Sequence, residues 1–427
     1  MDTDTPYVWL EKAAEREPDA PALILADRVV SYSDLEYQVR ARTRSLAHVV
    51  SPGSIVPAPM RLDLPSIVEM VAVMRSGAVV LPYADRRPEV NGVLRPGTAV
   101  CVATSGSGGV SKLVPLSYAN IAASVRASRS RLGTGATDRW LATLPLTHVG
   151  GLSVIWRSLA SGGAAVVAPF DDAIVDIVER TRPTVASLVP TMVHRLLDRS
   201  PESLAAIDLI LIGGTHLPRR LIARARERGI GLVPTYGMTE TASQIATAAP
   251  GVDAGIGDVV GSPLDGFSVI IRGDAGPVGP DQVGVIEVEG PAVFHGYLGE
   301  PARTGPFRTS DLGFMTEDGR LAVVGRVDDV VVSGGENVSL AAVRDAIAEI
   351  EGVADAAAVG VDDPEWGTIV CALVEVSGIL AADDLRESVA SLLPEHARPK
   401  RWIIGTVPIL ENGKPDTSAI RRMFADE

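Results

Sequence analysis

A stretch rich in glycine and hydroxyl residues, ATSGSGGVSK, runs from Ala103 to Lys112 and has the composition of a phosphate-binding loop. Its glycines would let backbone N–H groups approach phosphate oxygens, and its hydroxyls and lysine add further donors. The spacing from Gly106 to Lys112 fits a Walker A loop, but Ser111 stands where glycine is required and Leu113 where a hydroxyl must bind Mg²⁺. The stretch therefore predicts a phosphate loop of another kind, with an ordinary Gly/Ser surface turn as the alternative.

Four further stretches carry side chains suited to a nucleotide and a metal ion. PTYGMTE follows an apolar run and ends in Glu240, and FRTSDLG and VVGRVDD bring Asp311 and Arg326 within a short length of chain. ENGKPDTSAI has Lys414 in a glycine turn. A carboxylate can accept two adjacent hydroxyls, and an oxygen ligand combined with substrate phosphates is the usual coordination of Mg²⁺. Taken alone, each of these residues is also typical of a solvated surface charge or ion pair.

In this order and spacing, the four stretches resemble those of the adenylate-forming enzymes, which comprise acyl- and aryl-CoA synthetases, nonribosomal peptide adenylation domains and luciferases. The resemblance covers essentially the whole sequence. It implies ATP, Mg²⁺ and coenzyme A as co-substrate: a carboxylate attacks the α-phosphorus of ATP, pyrophosphate leaves, and a thiol then takes the acyl group from the acyl-adenylate. Because carboxylate and triphosphate repel each other, such a site must supply positive charge and fixed placement.

The resemblance also assigns roles to individual residues. The implied ATP-binding residues are Thr104, Ser105, Gly106, Ser107, Gly108, Gly109 and Lys112 at the leaving phosphates, Gly213, Gly214, Thr215, Tyr236 and Gly237 beside the base, Thr239 at a phosphate, and Asp311 and Arg326 at the ribose. Glu240 would hold Mg²⁺, and Lys414 would be catalytic in adenylation by bridging the carboxylate and the nucleotide. Asp328 would be the hinge for a rotating small domain, and Gly334 and Gly335 would line the approach of CoA.

The sequence departs from the family pattern in two places. Ser111 replaces the usual proline of the phosphate loop and Gly108 replaces a usual hydroxyl, which predicts a looser loop and a weaker hold on ATP. The segment between AVVLPYADRRPEV and GTAVCVATSG is also shorter than is usual for the family, so we expect sheet strands of larger members to be missing.

The stretch LPLTHVGGLSVIWRSLASGG contains residues that indicate which carboxylic acid is the substrate. Arg157 stands in an otherwise apolar helical pattern, where a buried guanidinium needs an anionic partner. A second carboxylate of the substrate would be such a partner, whereas the alternatives are that Arg157 reaches the surface or pairs with an acid of the protein. By resemblance His148 gates the acyl pocket and is a candidate catalytic residue, with a satisfied loop histidine as the alternative, and Thr241 and Ser243 would add polar contacts.

The stretches PLTHVGGLSVIWRSL, SLVPTMVHRLL, YGMTETASQ and VVSGGENVS look most like those of the o-succinylbenzoate–CoA ligases of menaquinone synthesis. The substrate of those ligases has one carboxylate to activate and another that needs an anchor. Other readings stay open: a CoA ligase for another aryl or medium-chain acid, an adenylation enzyme that loads a carrier protein, or a luciferase-type oxygenase. A non-catalytic nucleotide-binding protein is a more remote one, because Lys414, Glu240, Asp311 and Arg326 all serve chemistry more than folding.

The elements that must position these residues follow from the apolar patterning. Continuous apolar runs alternate with helical patterns from about residue 140, which predicts a parallel sheet covered by helices. Short β-rich runs separated by Gly, Pro and Asp over 257–324 predict a small antiparallel or barrel-like subdomain. We therefore expect an α/β fold with a large N-terminal domain, 1–327, that holds ATP and the acyl pocket, followed by a mobile α+β domain, 328–427, that carries the catalytic lysine.

Composition limits the class of protein and its partners. The 427 residues are 46% hydrophobic and 22% charged with a net charge of −14, which argues against nucleic acid or an anionic membrane as the main partner. Cys101 and Cys371 lie too far apart in the sequence for a disulfide framework or a CxxC metal site. The acidic start predicts no signal peptide, and no apolar run suits a membrane span. We expect a cytoplasmic enzyme of small molecules (a carboxylic acid, ATP and CoA), with a homodimer as an open option.

Overall fold

The structure, a computed structural model, describes residues 4–104, 112–215, 217–252, 259–376, 378, 380, 382–410 and 415–425. The α-helices of these residues are α1 (Pro6–Arg16), α2 (Tyr32–Leu46), α3 (Leu64–Arg75), α4 (Tyr118–Leu132), α5 (Val149–Ser161), α6 (Ile174–Thr181), α7 (Pro190–Arg199), α8 (Pro201–Ala205), α9 (Arg219–Glu227), α10 (Leu340–Ala348), α11 (Ala382–Leu392) and α12 (Thr417–Ala425). Across the described ranges, none of the helices is long and apolar enough to cross a membrane.

The β-strands are distributed over the whole chain. They are β1 (Pro21–Ile24), β2 (Val29–Ser31), β3 (Ile55–Pro59), β4 (Val79–Tyr83), β5 (Thr98–Thr104), β6 (Lys112–Ser117), β7 (Arg139–Ala142), β8 (Ala164–Val167), β9 (Val185–Leu188), β10 (Leu209–Ile212), β11 (Leu232–Met238), β12 (Ser243–Thr247), β13 (Val259–Pro263), β14 (Ser268–Gly273), β15 (Gly276–Pro277), β16 (Gly284–Glu289), β17 (Phe307–Met315), β18 (Leu321–Arg326), β19 (Val330–Ser333), β20 (Glu336–Ser339), β21 (Val353–Asp363), β22 (Gly367–Val376) and β23 (Arg401–Ile404).

The principal sheet has 14 strands in the order β15-β14-β16-β17-β18-β13-β12-β11-β10-β9-β7-β8-β1-β2. The strands from β11 to β1 in that order are parallel to one another. β7 to β10 are buried along their whole length apart from the first residue of β7, as continuous apolar runs between helices require. The strands from β12 to β18 pair antiparallel, as predicted for the β-rich segment, and they extend the parallel ladder without a break.

A second sheet of four strands, β3-β4-β5-β6, carries the phosphate-loop stretch. β3, β4 and β5 are parallel, and β6 returns antiparallel to β5. β4 and β5 are joined by residues 84–97, which contain neither helix nor strand. Gly92 in this connection packs so closely that a Cβ built there would lie 2.5 Å from the backbone nitrogen of Gly299. The short connection is therefore held against the segment between β16 and β17.

The small sheets lie entirely after residue 329. β19 and β20 form a hairpin, and β21, β22 and β23 form a three-stranded sheet. α10, α11 and α12 supply apolar side chains to two cores around that sheet. A 3-10 turn, Val327–Asp329, links β18 to β19, and no described strand ladder crosses it. The sheets therefore divide at the point where the sequence predicts the domain boundary.

A side-chain hydrogen bond joins the two parts of the chain. Arg220 at the start of α9 donates from Nη1 to the carbonyl oxygen of Ile350, just after α10, at 2.7 Å. Gly325 in β18 also lies against α10, because a Cβ built there would be 3.7 Å from Ala341 Cβ. α10 and the residue that follows it closely thus lie against β18 and α9 of the preceding part of the chain.

The alternation predicted from about residue 140 is present, since helices α5, α6, α7 and α9 alternate with strands β7 to β11. After residue 328 the described chain contains both helices and strands, as expected for an α+β domain. α6 begins at Ile174, after a turn in which Asp171 Oδ1 accepts from the Ala173 amide at 2.9 Å. The fold is the predicted α/β fold.

Candidate active site

The predicted adenine subsite lies where two neighbouring parallel strands end. β10 pairs with β11 so that Ile212 is opposite Pro234, and Gly213 and Gly214 follow directly. A Cβ built on Gly213 would lie 2.7 Å from the carbonyl oxygen of Thr235, so only glycine lets the two strand ends approach this closely. The carboxyl ends of parallel strands are the usual ligand edge of an open α/β sheet. The backbone after β10 and Tyr236 of β11 are therefore brought together as the sequence predicts.

The predicted ribose group is assembled by strand register. Asp311 on β17 is directly opposite Arg326 on β18, and Arg326 Nη1 lies 3.3 Å from Asp311 Oδ1. The Tyr236 hydroxyl donates to Asp311 Oδ2 at 2.6 Å. Burial, followed by the charge of Asp311, raises the pKa of Tyr236 well above its ordinary value, so the phenol stays protonated and donates. Tyr236, Asp311 and Arg326, which were predicted from separate stretches, thus form one hydrogen-bonded group. Its bonds fix the position of the Asp311 carboxylate.

Glu240, the predicted metal ligand, is held at two points. It lies in a 3-10 turn, Thr239–Thr241, directly after β11. Its carbonyl oxygen accepts from the Phe294 amide at 2.7 Å, and its Oε1 accepts from the Tyr297 hydroxyl at 2.8 Å. Burial, followed by the charge of Glu240, raises the pKa of Tyr297, which keeps this phenol a donor. One carboxylate oxygen is therefore oriented by the protein.

The Glu240 carboxylate suits a metal ion that is also bound by the nucleotide. Within the described ranges, no group of three or more His, Cys, Asp or Glu residues could hold an ion without other ligands. A single carboxylate beside a triphosphate is the arrangement that Mg²⁺ favours, because the ion keeps several waters and takes phosphate oxygens as ligands. Glu240 suits a metal ion that arrives with ATP.

The described ends of the phosphate loop lie side by side. Thr104 is opposite Lys112 in the antiparallel pair of β5 and β6, and its hydroxyl is 3.3 Å from the Lys112 carbonyl oxygen. Lys112 Nζ lies 4.4 Å from the centre of the Tyr297 ring and 3.1 Å from Glu300 Oε1. Lys112 and Glu300 are each about half exposed. An exposed pair of this kind contributes about 0–1 kcal/mol, so a phosphate can displace the Glu300 carboxylate at little cost.

Arg157, the predicted anchor, is buried without a counter-charge. Its side chain projects from α5, and the residue is 2% exposed, which excludes the reading that it reaches the surface. Nη2 donates to Ser243 Oγ at 3.1 Å, the guanidinium lies 5.3 Å from the Trp140 ring centre, and Nε is buried without a hydrogen-bond partner. No acid among the described residues forms an ion pair with it. Burial lowers the pKa of Arg157 to about 9.

The hydroxyls of Thr241 and Ser243, in the turn after Glu240, have different partners. The Thr241 hydroxyl accepts from the Met238 amide at 3.1 Å, lies 2.8 Å from the Ser243 carbonyl oxygen, and belongs to a residue with no exposed surface. It therefore fixes the turn, and its predicted contact with an acid stays a prediction. Ser243 has φ of +105°, a left-handed conformation that favours glycine, yet it presents a hydroxyl to Arg157.

His148 occupies the N-cap of α5. Its backbone is extended and its carbonyl accepts the first helical hydrogen bond, from the Leu152 amide at 3.1 Å. A Cβ built on Gly151 would lie 2.3 Å from the Pro145 carbonyl oxygen, so the glycines after His148 allow the helix to start against the preceding turn. The half-buried imidazole is thus carried on a fixed helix start. Its role as gate and catalytic residue stays a prediction.

Gly334 and Gly335 form the turn between β19 and β20. Their φ values are +59° and +87°, which is the two-residue hairpin geometry that glycine favours. A Cβ on Gly334 would lie 2.6 Å from the Trp366 ring, whereas Gly335 has open space around it. Hairpin geometry and packing against Trp366 already explain both glycines, and their contact with CoA stays a prediction.

Several predicted residues lie outside the described residues: Ser105, Gly106, Ser107, Gly108, Gly109 and Ser111 of the phosphate loop, and Lys414. Asp328 lies in the 3-10 turn between β18 and β19, where a hinge is expected. Thr215 follows Gly214 in the loop after β10, and Gly237 lies where a Cβ would be 1.9 Å from the Ser243 carbonyl oxygen. The Thr239 carbonyl oxygen accepts from the Ala242 amide at 3.1 Å, and the contact of Thr239 with a phosphate stays a prediction.

Sequence reasoning missed three residues that contact this site. Ser153 lies one helical turn before Arg157 on α5, and the Ser243 hydroxyl is 3.4 Å from its Oγ; the i, i+4 spacing was a usable signal. Trp140 faces the Arg157 guanidinium from β7. Tyr297 lies far from Glu240 in the sequence and within a stretch that carries no phosphate or metal pattern, so only the fold reveals it.

Two family descriptions match the chain. The AMP-binding enzyme family matches residues 93–298, and the AMP-binding enzyme C-terminal domain matches residues 343–414. The chain is 34% identical to the 2-succinylbenzoate–CoA ligase of Bacillus licheniformis over 74% of this chain and 67% of that protein. It is 29% identical to the ligase of the same name from Bacillus cereus over 92% of this chain and 93% of that protein.

Solved structures of one enzyme resemble the whole chain. The o-succinylbenzoate CoA synthetase of Bacillus subtilis, in complex with its acyl-adenylate intermediate, matches with a TM-score of 0.86 and 25% identity over 97% of each chain. The same enzyme in complex with ATP and a magnesium ion matches with a TM-score of 0.85 and 25% identity over 96% of this chain and 98% of that one.

Proposed function

Since the chain belongs to the family of AMP-binding, adenylate-forming enzymes, we propose that it is an AMP-forming acid–CoA ligase that converts o-succinylbenzoate to o-succinylbenzoyl-CoA. The observation that carries the choice of acid is Arg157, a buried guanidinium without an acidic partner among the described residues. A buried charge of this kind costs several kcal/mol unless it is paired, and a substrate carboxylate would pair it in every turnover. The names of the relatives support the same acid.

In this proposal the principal sheet binds the nucleoside. Asp311, with its oxygens oriented by Tyr236 and Arg326, accepts the ribose hydroxyls, and the backbone after β10 lies beside adenine. Glu240 would hold Mg²⁺, which supplies positive charge at the phosphates when it is bound. Lys112 and the phosphate loop would hold the leaving pyrophosphate. The substrate carboxylate that is not anchored at Arg157 would then attack the α-phosphorus.

The small domain, 328–427, completes the proposal. Lys414 would neutralise the charge that develops between carboxylate and α-phosphate during adenylation. Rotation at Asp328 would then remove Lys414 and bring the hairpin with Gly334 and Gly335 to the adenylate, where the CoA thiol attacks the acyl carbon and AMP leaves. The described sheets, which divide at this turn, support the domain boundary at 327/328. We place the reaction in the cytoplasm.

Pyrophosphate release on an acid panel tests this function. With ATP, Mg²⁺ and CoA, we expect o-succinylbenzoate to be used at least about 100-fold more efficiently than benzoate, succinate or a medium-chain fatty acid, because only it fits both the anchor and the reacting centre. Formation of the acyl-CoA, followed by mass spectrometry, distinguishes a CoA ligase from an enzyme that loads a carrier protein. Equal use of benzoate would overturn the choice of acid, and release without any acid dependence would overturn the ligase.

The affinity for the acid should depend on pH in one direction. Burial lowers the pKa of Arg157 to about 9 in the free protein, and a bound carboxylate favours the charged guanidinium. The Kd of o-succinylbenzoate should therefore stay constant below about pH 9 and rise roughly tenfold per pH unit above it, because one proton is linked to binding. Calorimetric titration between pH 7.5 and 10.5 measures this. A Kd that is flat to pH 10.5 would contradict the role of Arg157.

A further inference from the structure

Tyr297 touches both ends of the predicted triphosphate site. Its hydroxyl donates to Glu240 Oε1 at 2.8 Å, and its ring lies 4.4 Å from Lys112 Nζ. Glu240 follows β11 in the principal sheet, whereas Lys112 begins β6 in the four-stranded sheet. One half-buried aromatic residue therefore links the carboxylate of one sheet to the lysine of the other.

The segment that carries Tyr297, residues 291–300, is fixed by hydrogen bonds on three sides. The Phe294 amide donates to the Glu240 carbonyl oxygen at 2.7 Å, and the Leu298 amide donates to the Leu113 carbonyl oxygen at 2.9 Å. Asn120 Nδ2 on α4 donates to the carbonyl oxygens of Pro291 and Val293. The segment thus lies in one position relative to both sheets.

The ring of Tyr297 is held independently of its hydroxyl. Phe294 packs edge-on against it with ring centres 4.9 Å apart, and Lys112 lies over it. Removal of the hydroxyl alone would leave these contacts in place and would free Glu240 Oε1. Among the described residues, Tyr297 makes the only side-chain hydrogen bond to the Glu240 carboxylate. Without it, the carboxylate can rotate.

From these contacts we propose that Tyr297 is a positioning residue for the metal–nucleotide complex: it orients the Glu240 carboxylate so that its other oxygen faces the ion. A hydrogen bond to one oxygen of a ligating carboxylate limits its rotation and reduces the entropy lost when the ion binds. The inference rests on the proposed function of Glu240 as the metal ligand. It predicts a specific defect in metal-assisted nucleotide binding, with little effect on stability or on binding of metal-free nucleotide.

The test uses the full chain, Mn²⁺ as the probe and α,β-methylene ATP, which cannot release pyrophosphate. Calorimetric titration with the preformed Mn²⁺–nucleotide complex gives the affinity for that complex, and the same titration in EDTA gives that for the metal-free nucleotide. Tyr297→Phe should weaken the first about tenfold, the usual effect of losing a group that orients a metal ligand, and leave the second unchanged. Tyr118→Phe is the matched control, because the Tyr118 hydroxyl donates to a backbone carbonyl, that of Met74.

A double-mutant cycle with Glu240→Gln separates this inference from the function on which it rests. If Glu240→Gln weakens Mn²⁺–nucleotide binding and Tyr297→Phe adds nothing in that background, Tyr297 acts through Glu240. Additive losses, or a Tyr297→Phe protein that binds like wild type while Glu240→Gln does not, would overturn the inference alone. Unchanged binding in Glu240→Gln would overturn the metal role of Glu240 and the inference with it. Thermal unfolding of each variant verifies that the fold is retained.

Discussion

Replacing Arg157 by methionine should make the resting protein more stable and the enzyme much less active. Methionine fills a similar volume without a charge, and a buried guanidinium without a counter-ion destabilises the fold, so we expect the free energy of unfolding to rise by about 1–4 kcal/mol. The same change removes the anchor for the second carboxylate. We expect kcat/KM for o-succinylbenzoate to fall by about 100-fold or more, since an acid that enters the pocket then lies unpaired.

Arg129 provides the matched control for this result. Its Nε is also buried without a partner, but its guanidinium donates to the carbonyl oxygen of Ala160 at 2.9 Å instead of facing Ser243. Arg129→Met should leave kcat/KM for the acid within a few-fold of wild type. Denaturant unfolding of both variants measures the change in the free energy of unfolding, and steady-state kinetics measure the change in kcat/KM. An Arg157→Met protein that is less stable than wild type, or that uses benzoate and o-succinylbenzoate unchanged, would show that Arg157 is a structural residue.

Replacing Lys414 by alanine should separate the two half-reactions. In the proposed function Lys414 stabilises the transition state of adenylation, and loss of one such charge-stabilising group costs about 10²–10³ in rate. Exchange of labelled pyrophosphate into ATP, which reports adenylation, should therefore fall by that factor. Thioester formation from supplied acyl-adenylate and CoA should stay within a few-fold of wild type, because the lysine has left the site by then.

Lys400 gives a control from the same domain. Its Nζ lies 4.1 Å from the centre of the Trp366 ring, outside the proposed adenylation contacts. Lys400→Ala should leave pyrophosphate exchange intact. Equal loss of both half-reactions in Lys414→Ala would contradict a role of Lys414 in adenylation alone. Full retention of pyrophosphate exchange would show that Lys414 takes no part in adenylation.

Residues that lie on regular elements were predictable because strand and helix periodicity fixes where they meet. Asp311 and Arg326 were chosen from separate stretches, and antiparallel register makes them direct neighbours. Gly213 and Tyr236 were brought together by the parallel pairing of β10 and β11. The pattern of apolar runs was sufficient for the α/β class.

What the sequence could not provide was the contact between distant segments. Nothing in HGYLGE indicates that Tyr297 meets Glu240, because that contact depends on how two sheets are placed. The direction of the Thr241 hydroxyl depends on the left-handed turn at Ala242 and Ser243, which is unusual for these residue types. The unbroken ladder from β11 through β18 was also not evident, since the change in composition near residue 257 suggested a separate subdomain.

That unbroken ladder has a consequence for how one AMP serves both reactions. Tyr236, Asp311 and Arg326 lie on strands of the same 14-stranded sheet, and the loop after β10 follows another of its strands. The strands that flank the phosphate loop, β5 and β6, belong to another sheet, and the proposal assigns Lys414 to the small domain. In the proposed function, rotation at Asp328 would leave every predicted nucleoside contact of the principal sheet in place. The nucleoside would therefore stay in one position while its α-phosphate is attacked by the carboxylate in the first step and AMP is displaced by the thiol in the second.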